Sequence, residues 1–355
     1  MRRCERPRRP RRAEPATGSV HAGSVGAADI LPAVSASSRL PKVVLSSVVR
    51  SAHQGESHGG VYLIDLETES IEQVVDWDDP TISWEGRGAD RGLRGIAFHG
   101  DGVYLAASDE IFVYDRDFRL QASFKNRYLK HCHEIAIAGD ALFVTSTGFD
   151  SVLEYDLREG RFRRGYCLRF PNYWRIRRRL DLRPRPRFSI FDPEGDRGPT
   201  LGDTCHVNSV VPEGGALYVS GTGLGTMWRI SDTRLERYAR IPYGSHNARP
   251  FRDGVLLNHT ATDRIAFLDL RGRTVRSYPL ATYEEHELVN AGLPRDLARQ
   301  AFGRGLAVVG DDLIIGGSSP ATVTAYQVDP PRALKSVNIS MDVRNAIHGL
   351  EVWPF

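Results

Sequence analysis

The sequence has little cysteine and less methionine, four and three among 355 residues. Four cysteines in a chain of this size exclude the dense disulfide framework of small secreted domains. No run approaches the eighteen or so apolar residues that a membrane-spanning helix needs, so no membrane span is expected. Neither sign of charge dominates: 47 Lys and Arg face 44 Asp and Glu, a net of +3, which singles out no class of partner. The chain opens on a basic cluster, MRRCERPRRPRR. No apolar stretch of about 7–15 residues follows, as an export signal would require. Residues 1–40 are therefore expected to be a disordered Arg/Pro-rich tail, and the expected location is cytoplasmic.

What the sequence does have is a repeat. From about residue 92 onward a pattern recurs roughly every 40 residues, the spacing of propeller blades. RGIAFHGDGVYLAAS begins at Arg94, HEIAIAGDALFVTST at His133, HVNSVVPEGGALYVSGT at His206, HNARPFRDGVLLNHT at His246 and RGLAVVGDDLIIGGS at Arg304. Each contains a Gly/Asp turn suited to a hairpin: Gly100-Asp101, Gly139-Asp140, Gly214-Gly215, Asp253-Gly254 and Gly310-Asp311. A third strand with alternating polarity follows each copy. The sixth copy is split. IHGLEVWPF at the C-terminus reads as its first strand, and VVLSSVV, GGVYLIDLE and SIEQVVDW near the N-terminus read as the rest. The pattern predicts an all-β, six-bladed propeller over 41–355, with blade 1 closed by strands from both termini.

Three connections exceed the period: 77–91, 171–204 and 280–303. Each precedes the first strand of a blade, so all three emerge on one face and are expected to cover the channel mouth as lids. The last is expected to contain a short helix near 284–290 or 294–302. The second, NYWRIRRRLDLRPRPRFSIFDPEGDRGPTLGDT, interleaves arginine with aromatics, and its acidic DPEGDRG is expected to fold against the basic run. With charge near balance and no nucleic-acid motif, nucleic acid is not an expected partner.

The first strand of each blade should line the channel. Its opening position reads Arg94, His133, His206, His246, Arg304 and His348 around the ring, four of the chain's 11 histidines. Repeat histidines can be structural, as in WD40 blades. Here the paired Trp-Asp is missing and two blades carry Arg instead. The functional expectation is a metal centre of His133, His206, His246 and His348. Imidazoles suit a divalent transition metal, Fe first, with Mn, Cu, Zn or Ni possible. Arg94 and Arg304 then imply an anionic small-molecule substrate. Asn258 and Thr147, at the ends of second strands, are further candidates for substrate binding. His259 and Glu134 are candidates for catalysis, Glu134 as an orienting carboxylate beside His133. Cys132 and Cys205, each preceding a ring histidine, suit a thiolate ligand, a redox pair or simple packing, and packing is favoured.

The repeat region resembles six-bladed propellers of the NHL, gluconolactonase and strictosidine-synthase type. The carboxylates and amide of a gluconolactonase-like metal site are absent from the ring. In ligand type, His133, His206, His246 and His348 are similar to the iron-binding histidines of carotenoid-cleavage oxygenases, which are longer and seven-bladed. The ring's residues lead to the expectation of a metal-dependent enzyme acting on a small, anionic molecule: an oxygenase-like oxidoreductase with Fe or Cu, or a lyase or hydrolase with Mn, Zn or Ni. Two alternatives stand beside it: a non-enzymatic scaffold with structural histidines, and a metal-free lyase or cyclase using one channel histidine as base.

Overall fold

The computed structural model describes residues 39–53, 55–77, 92–171 and 184–355. The connection at 77–91, apart from Trp77, and residues 172–183 of the second connection lie outside the described residues, as does 1–38 of the tail.

Apolar residues alternate with polar ones along short segments punctuated by turns, and these segments form 25 strands among the described residues. Blade 1 contains β1 (Lys42–Val49), β2 (Gly59–Asp65) and β3 (Ser70–Asp76). Blade 2 is β4 (Ile96–His99), β5 (Gly102–Ala106), β6 (Glu110–Tyr114) and β7 (Leu120–Lys125). Blade 3 is β8 (Ile135–Ala138), β9 (Ala141–Ser146), β10 (Ser151–Asp156), β11 (Arg161–Arg169) and β12 (Arg187–Phe191). Blade 4 is β13 (Val207–Glu213), β14 (Ala216–Gly221), β15 (Thr226–Ser231) and β16 (Arg234–Arg240). Blade 5 is β17 (Ser245–Phe251), β18 (Gly254–His259), β19 (Arg264–Asp269) and β20 (Thr274–Pro279). Blade 6 is β21 (Leu306–Val309), β22 (Leu313–Ser318), β23 (Thr322–Gln327) and β24 (Arg332–Asn338). Finally β25 (Asn345–Val352) pairs with β1, so the first blade takes its innermost strand from the C-terminus. All six sheets are antiparallel and meander outward in chain order. The expected six-bladed propeller with a two-ended closing blade is what forms.

The hydrophobic clusters sit between blades. Phe143, Val152 and Tyr166 of blade 3 pack against Val207, Val219 and Trp228 of blade 4. Val43 and Leu45 of blade 1 pack against Ile315 and Val323 of blade 6. Two-sided burial follows, because each sheet is sandwiched by two neighbours, while the outermost strands β3 and β7 stay largely exposed.

The hairpin turns match the expected residues in four of five copies, with positive φ at Gly100, Gly139, Gly214, Gly215 and Gly310. In blade 5 it is Arg252 (φ 49°) that takes the left-handed conformation and not Gly254. A Cβ on Gly254 would meet the Leu268 carbonyl oxygen at 2.0 Å, so glycine serves strand packing there.

The 171–204 connection differs from a simple lid. Its Arg187–Phe191 stretch adds a fifth strand to blade 3, paired with β11. Phe191 lies over Gly165 and stacks edge-on with Tyr128 at 5.1 Å, so an aromatic anchor fixes the strand. The acidic DPEGDRG turn does not fold against the described part of the basic run. Glu194 accepts from the Phe162 amide, and Asp196 pairs with Arg127. The 280–303 insertion has a 3-10 turn at Glu285–Glu287 and a single turn at Pro294 in place of a helix. It is tied to blades 1 and 6 by Arg50 Nη1 donating to Leu297 O (3.1 Å), by Tyr283 to Thr322, and by a bridge between Val289 and Asp342.

Candidate functional site

Each inner strand enters the channel from the same face, and the residue at its entrance is held by the end of the second strand. Thr145 Oγ1 accepts from the amides of His133 and Glu134, and the Thr222 amide donates to His206 O. The small polar residues ending the second strands therefore fix the ring's backbone. Their tight packing leaves the ring side chains as the groups that reach the axis.

The entrance opens into a cavity of about 420 Å³ lined by Arg94, His133, His206, Arg304 and His348 of the ring, with Arg50, His131, Thr147 and Asp203 beside them. Arg295, Asp296, Leu297 and Phe302 of the 280–303 insertion complete its wall. The His133 and His206 rings stand 5.2 Å apart at 65°. His246 lies behind Phe302, its ring 6.1 Å away. Three ring histidines and two arginines, from five blades, thus line one cavity, and His246 of the remaining blade stands against Phe302 of its wall.

The tautomers of two rings follow from their neighbours. His133 Nδ1 is 2.8 Å from His131 O, an atom that only accepts, so Nδ1 carries the proton. Thr147 Oγ1, 2.9 Å from the same nitrogen, donates its own hydrogen to Val207 O and accepts here. His206 Nδ1 donates to the Asp203 carboxylate at 2.9 and 3.1 Å. In both rings the hydrogen bond at Nδ1 leaves Nε2 as the open nitrogen. Below them, Asp150 receives the amides of Thr204, Cys205 and His206 and so sets the loop that carries His206.

Burial, reinforced by the Arg94 and Arg304 guanidiniums, holds His133 and His348 well below the usual imidazole range. Burial and Arg304 do the same to His246. Both His246 nitrogens and His348 Nε2 are buried without a hydrogen-bond partner. Arg304 is itself pushed well below its ordinary value by burial and by Arg50 and Arg94. Its Nε is buried and unpartnered, and its guanidinium lies 5.1 Å over the Phe302 ring. Arg94, 2% exposed, donates through Nη1 to Cys132 O.

Four expectations about individual residues change. Glu134 does not orient His133. Its side chain accepts from Asn247 Nδ2 and faces a second cavity of about 270 Å³ further along the channel, with Arg249 and Glu351. Burial pushes its carboxyl up to about 8. The alternation of side chains along a strand sends adjacent residues 133 and 134 to different surroundings. Asn258 is buried and donates to Asn247 Oδ1 and Gly305 O, a link between blades in place of a contact with the cavity. His259, half-buried opposite Ser245 and Arg264, lies outside the cavity lining. Thr147 does line the cavity, but its hydroxyl holds His133. Cys132 and Cys205 are fully buried free thiols, Cys132 raised to about 12 and Cys205 well above the thiol range by burial, so packing is their role.

The chemistry of this donor set bears on a metal. Among the described residues no three His, Cys, Asp or Glu side chains form a group that could hold a metal ion. Among the described residues, the guanidiniums of Arg50, Arg94, Arg295 and Arg304 line the cavity with the carboxylates of Asp203 and Asp296, and so disfavour a cation there. The described residues, as arranged here, do not present the four-histidine ligand set.

Arg50, Asp203, Asp150 and Phe302 were not legible as site residues. Asp203, three residues before His206, carries a weak local signal. Asp150 carries none, because it acts across 55 residues.

The class that fold and site define is a six-bladed propeller with an arginine- and histidine-lined axial cavity. No family model matches the chain, and no curated protein matches its sequence, so membership of the NHL or gluconolactonase group is not shown. The chain is similar in fold to a protein of unknown function from Bacteroides caccae (TM-score 0.54, 11% identity, covering 89% of this chain and 100% of that one). Weaker likenesses are to virginiamycin B lyase from Staphylococcus aureus (TM-score 0.42, 11% identity, 69% and 70% covered) and to apo AztD from Citrobacter koseri (0.46, 8%, 88% and 98%). At such identity the first shows fold alone and the other two add nothing to it. No helix among the described residues is long and apolar enough to cross a membrane.

Proposed function

We propose that the axial cavity binds a small anionic molecule and carries out metal-free proton-transfer chemistry on it, of the lyase kind. One observation carries the reading: buried guanidiniums, with Arg304 Nε unpartnered, share one cavity with imidazoles whose Nδ1 atoms are held and whose Nε2 atoms are open. The anionic group lies against Arg94 and Arg304, where a fork of N–H donors matches two oxygens. His206 Nε2 accepts a proton from the bound molecule. Asp203, hydrogen-bonded to Nδ1–H, keeps the tautomer correct and stabilises the imidazolium that forms. The same imidazolium returns the proton to the departing group.

A second reading keeps His133, His206, His246 and His348 as ligands of a divalent transition metal, iron first. The open Nε2 atoms of His133 and His206 and the unpartnered nitrogens of His246 and His348 favour it. In that case the metal would supply Lewis acidity or redox chemistry.

Calorimetric titration of protein stripped of metal and desalted, with acetate, succinate and phosphate, separates the two. The anion reading expects binding, weakened at least about tenfold by Arg304→Met, since a charge-assisted hydrogen bond contributes about 1.5–3 kcal/mol. If stripped protein binds none of these, and binding returns on adding Fe(II), the anion reading fails and the metal reading stands.

A further inference from the structure

Arg94 and Arg304 occupy equivalent ring positions but are held in different ways. Arg94 Nη1 donates to Cys132 O at 2.9 Å. Among the described residues no hydrogen bond or ion pair reaches the Arg304 guanidinium, and its Nε is buried without a partner. What touches it is an aromatic ring: Arg304 Cζ lies 5.1 Å from the Phe302 centroid, over the ring. Burial, with Arg50 and Arg94 nearby, works against the charged form of Arg304. A π face is negative at its centre and attracts a cation, the more so away from water. Phe302 therefore gives this guanidinium a surface to lie on and a counterweight to its charge.

The ring is itself fixed. At the end of the 280–303 insertion the backbone runs beside the end of β22. The Ala301 amide donates to Ser319 O, the Ser319 amide to Phe302 O and the Arg304 amide to Gly317 O. Gly303, between the ring and the arginine, packs so closely that a Cβ there would come within 2.8 Å of Asn258 Oδ1 and of Leu280 Cδ1. Two further guanidiniums share the Phe302 ring, Arg50 at 4.4 Å and Arg299 at 5.3 Å. Both also have hydrogen-bond acceptors: Arg50 donates to Leu297 O, and Arg299 to Asp263 and Thr260 O. Arg304 has the ring. Its N–H donors are unspent, and Arg304 and Phe302 both line the axial cavity.

We propose that Phe302 is a positioning residue for the anion site, its ring holding the Arg304 guanidinium with the N–H fork turned to the cavity, where a bound carboxylate or phosphate meets it. The inference rests on the anion-binding reading and names what makes Arg304 effective in it. A long side chain without hydrogen bonds is otherwise ordered only when the anion arrives, and that ordering costs affinity. The insertion then does more than wall the cavity, because its last residues aim a ring arginine two positions on.

Calorimetry on the full chain tests it, with acetate, succinate and phosphate as probes and Phe302→Leu, Phe302→Tyr and Phe302→Trp beside the parent. Leucine keeps an apolar wall and removes the π face, whereas tyrosine and tryptophan keep the face. For the anion that the parent binds tightest, Phe302→Leu is expected to bind at least about threefold more weakly than the better of the two aromatic variants. A residue that only closed the wall would let leucine serve as well as an aromatic ring. Thermal unfolding checks that each variant folds, and Phe302→Met serves if Phe302→Leu does not. A difference below about threefold overturns this inference and leaves the anion reading intact. Failure of the parent to bind any of the three anions overturns the anion reading, and this inference with it.

Discussion

At Asp150 the backbone enters the left-handed region (φ 51°) and the side chain is fully buried. Its two oxygens accept three successive amides, at 2.8, 2.9 and 3.0 Å, and the Thr204 hydroxyl. Those amides have no strand partner at this point, and His206 itself sits at φ 52°, so the carboxylate stands in for a missing stretch of ladder. Asp150→Ala orphans three donors at once, and a destabilisation on the order of 3 kcal/mol or more is expected from urea unfolding. Anion binding should weaken as well, because the His206 loop loses its support. A variant within about 1 kcal/mol of the parent would show that the loop holds itself. At this scale the sequence disclosed types and positions. The ring of Arg94, His133, His206, His246, Arg304 and His348 was legible because repeats make equivalent positions comparable. Glu134, Asn258 and His259 lie outside the lining of the axial cavity, because adjacency in sequence does not indicate which way a side chain turns.

Among the elements, β25 carries the ring closure. It lies between β1 and the inner strands β4 and β21 of the neighbouring blades. Ala346, Ile347 and Leu350 are buried in it. Ser46 of β1 accepts from the Gly349 amide (2.8 Å) and donates to Arg94 O (2.6 Å), tying the closure to a ring residue. A chain ending at residue 344 is expected to lose cooperative thermal unfolding, since blade 1 would expose an inner edge and the clusters on both its sides. A sharp transition within a few degrees of the parent's would mean that the ring is stable when open. The split blade was readable because both halves keep the blade pattern. By contrast β12 was hidden inside an arginine-rich connection, and the anchor that makes it a strand, Phe191 over Gly165, is a contact between segments.

For the molecule as a whole, two sets of buried groups oppose each other in pH. His133, His246 and His348 are kept neutral in the fold, so below about 6.5 the unfolded chain takes up protons that the folded one refuses. Stability is therefore lost as pH falls from there towards their depressed values. Glu134 and Glu351, raised by burial to about 8 and about 7, hold protons that the unfolded chain releases near 4.3. Their contribution is lost as pH rises from there to 7–8. Each group contributes at most about 1.4 kcal/mol per pH unit. The expected result is a urea midpoint highest near pH 6.5 and lower on both sides, with Glu134→Gln flattening the alkaline side. A midpoint climbing steadily from pH 6 to 9 would contradict the buried, uncharged state of these carboxyls.

The sequence by itself determined the architecture and the membership of the ring, because a repeated strand pattern constrains every copy alike and six copies close without remainder. Only the tertiary structure decided what surrounds each member of the ring. Whether converging imidazoles act as ligands or as bases depends on which nitrogen each neighbour occupies, and on how many guanidiniums share the space. Asp203 and His131 O lie within three residues of the rings they hold, but Arg50 and the 280–303 insertion come from segments whose proximity to the ring no local pattern encodes.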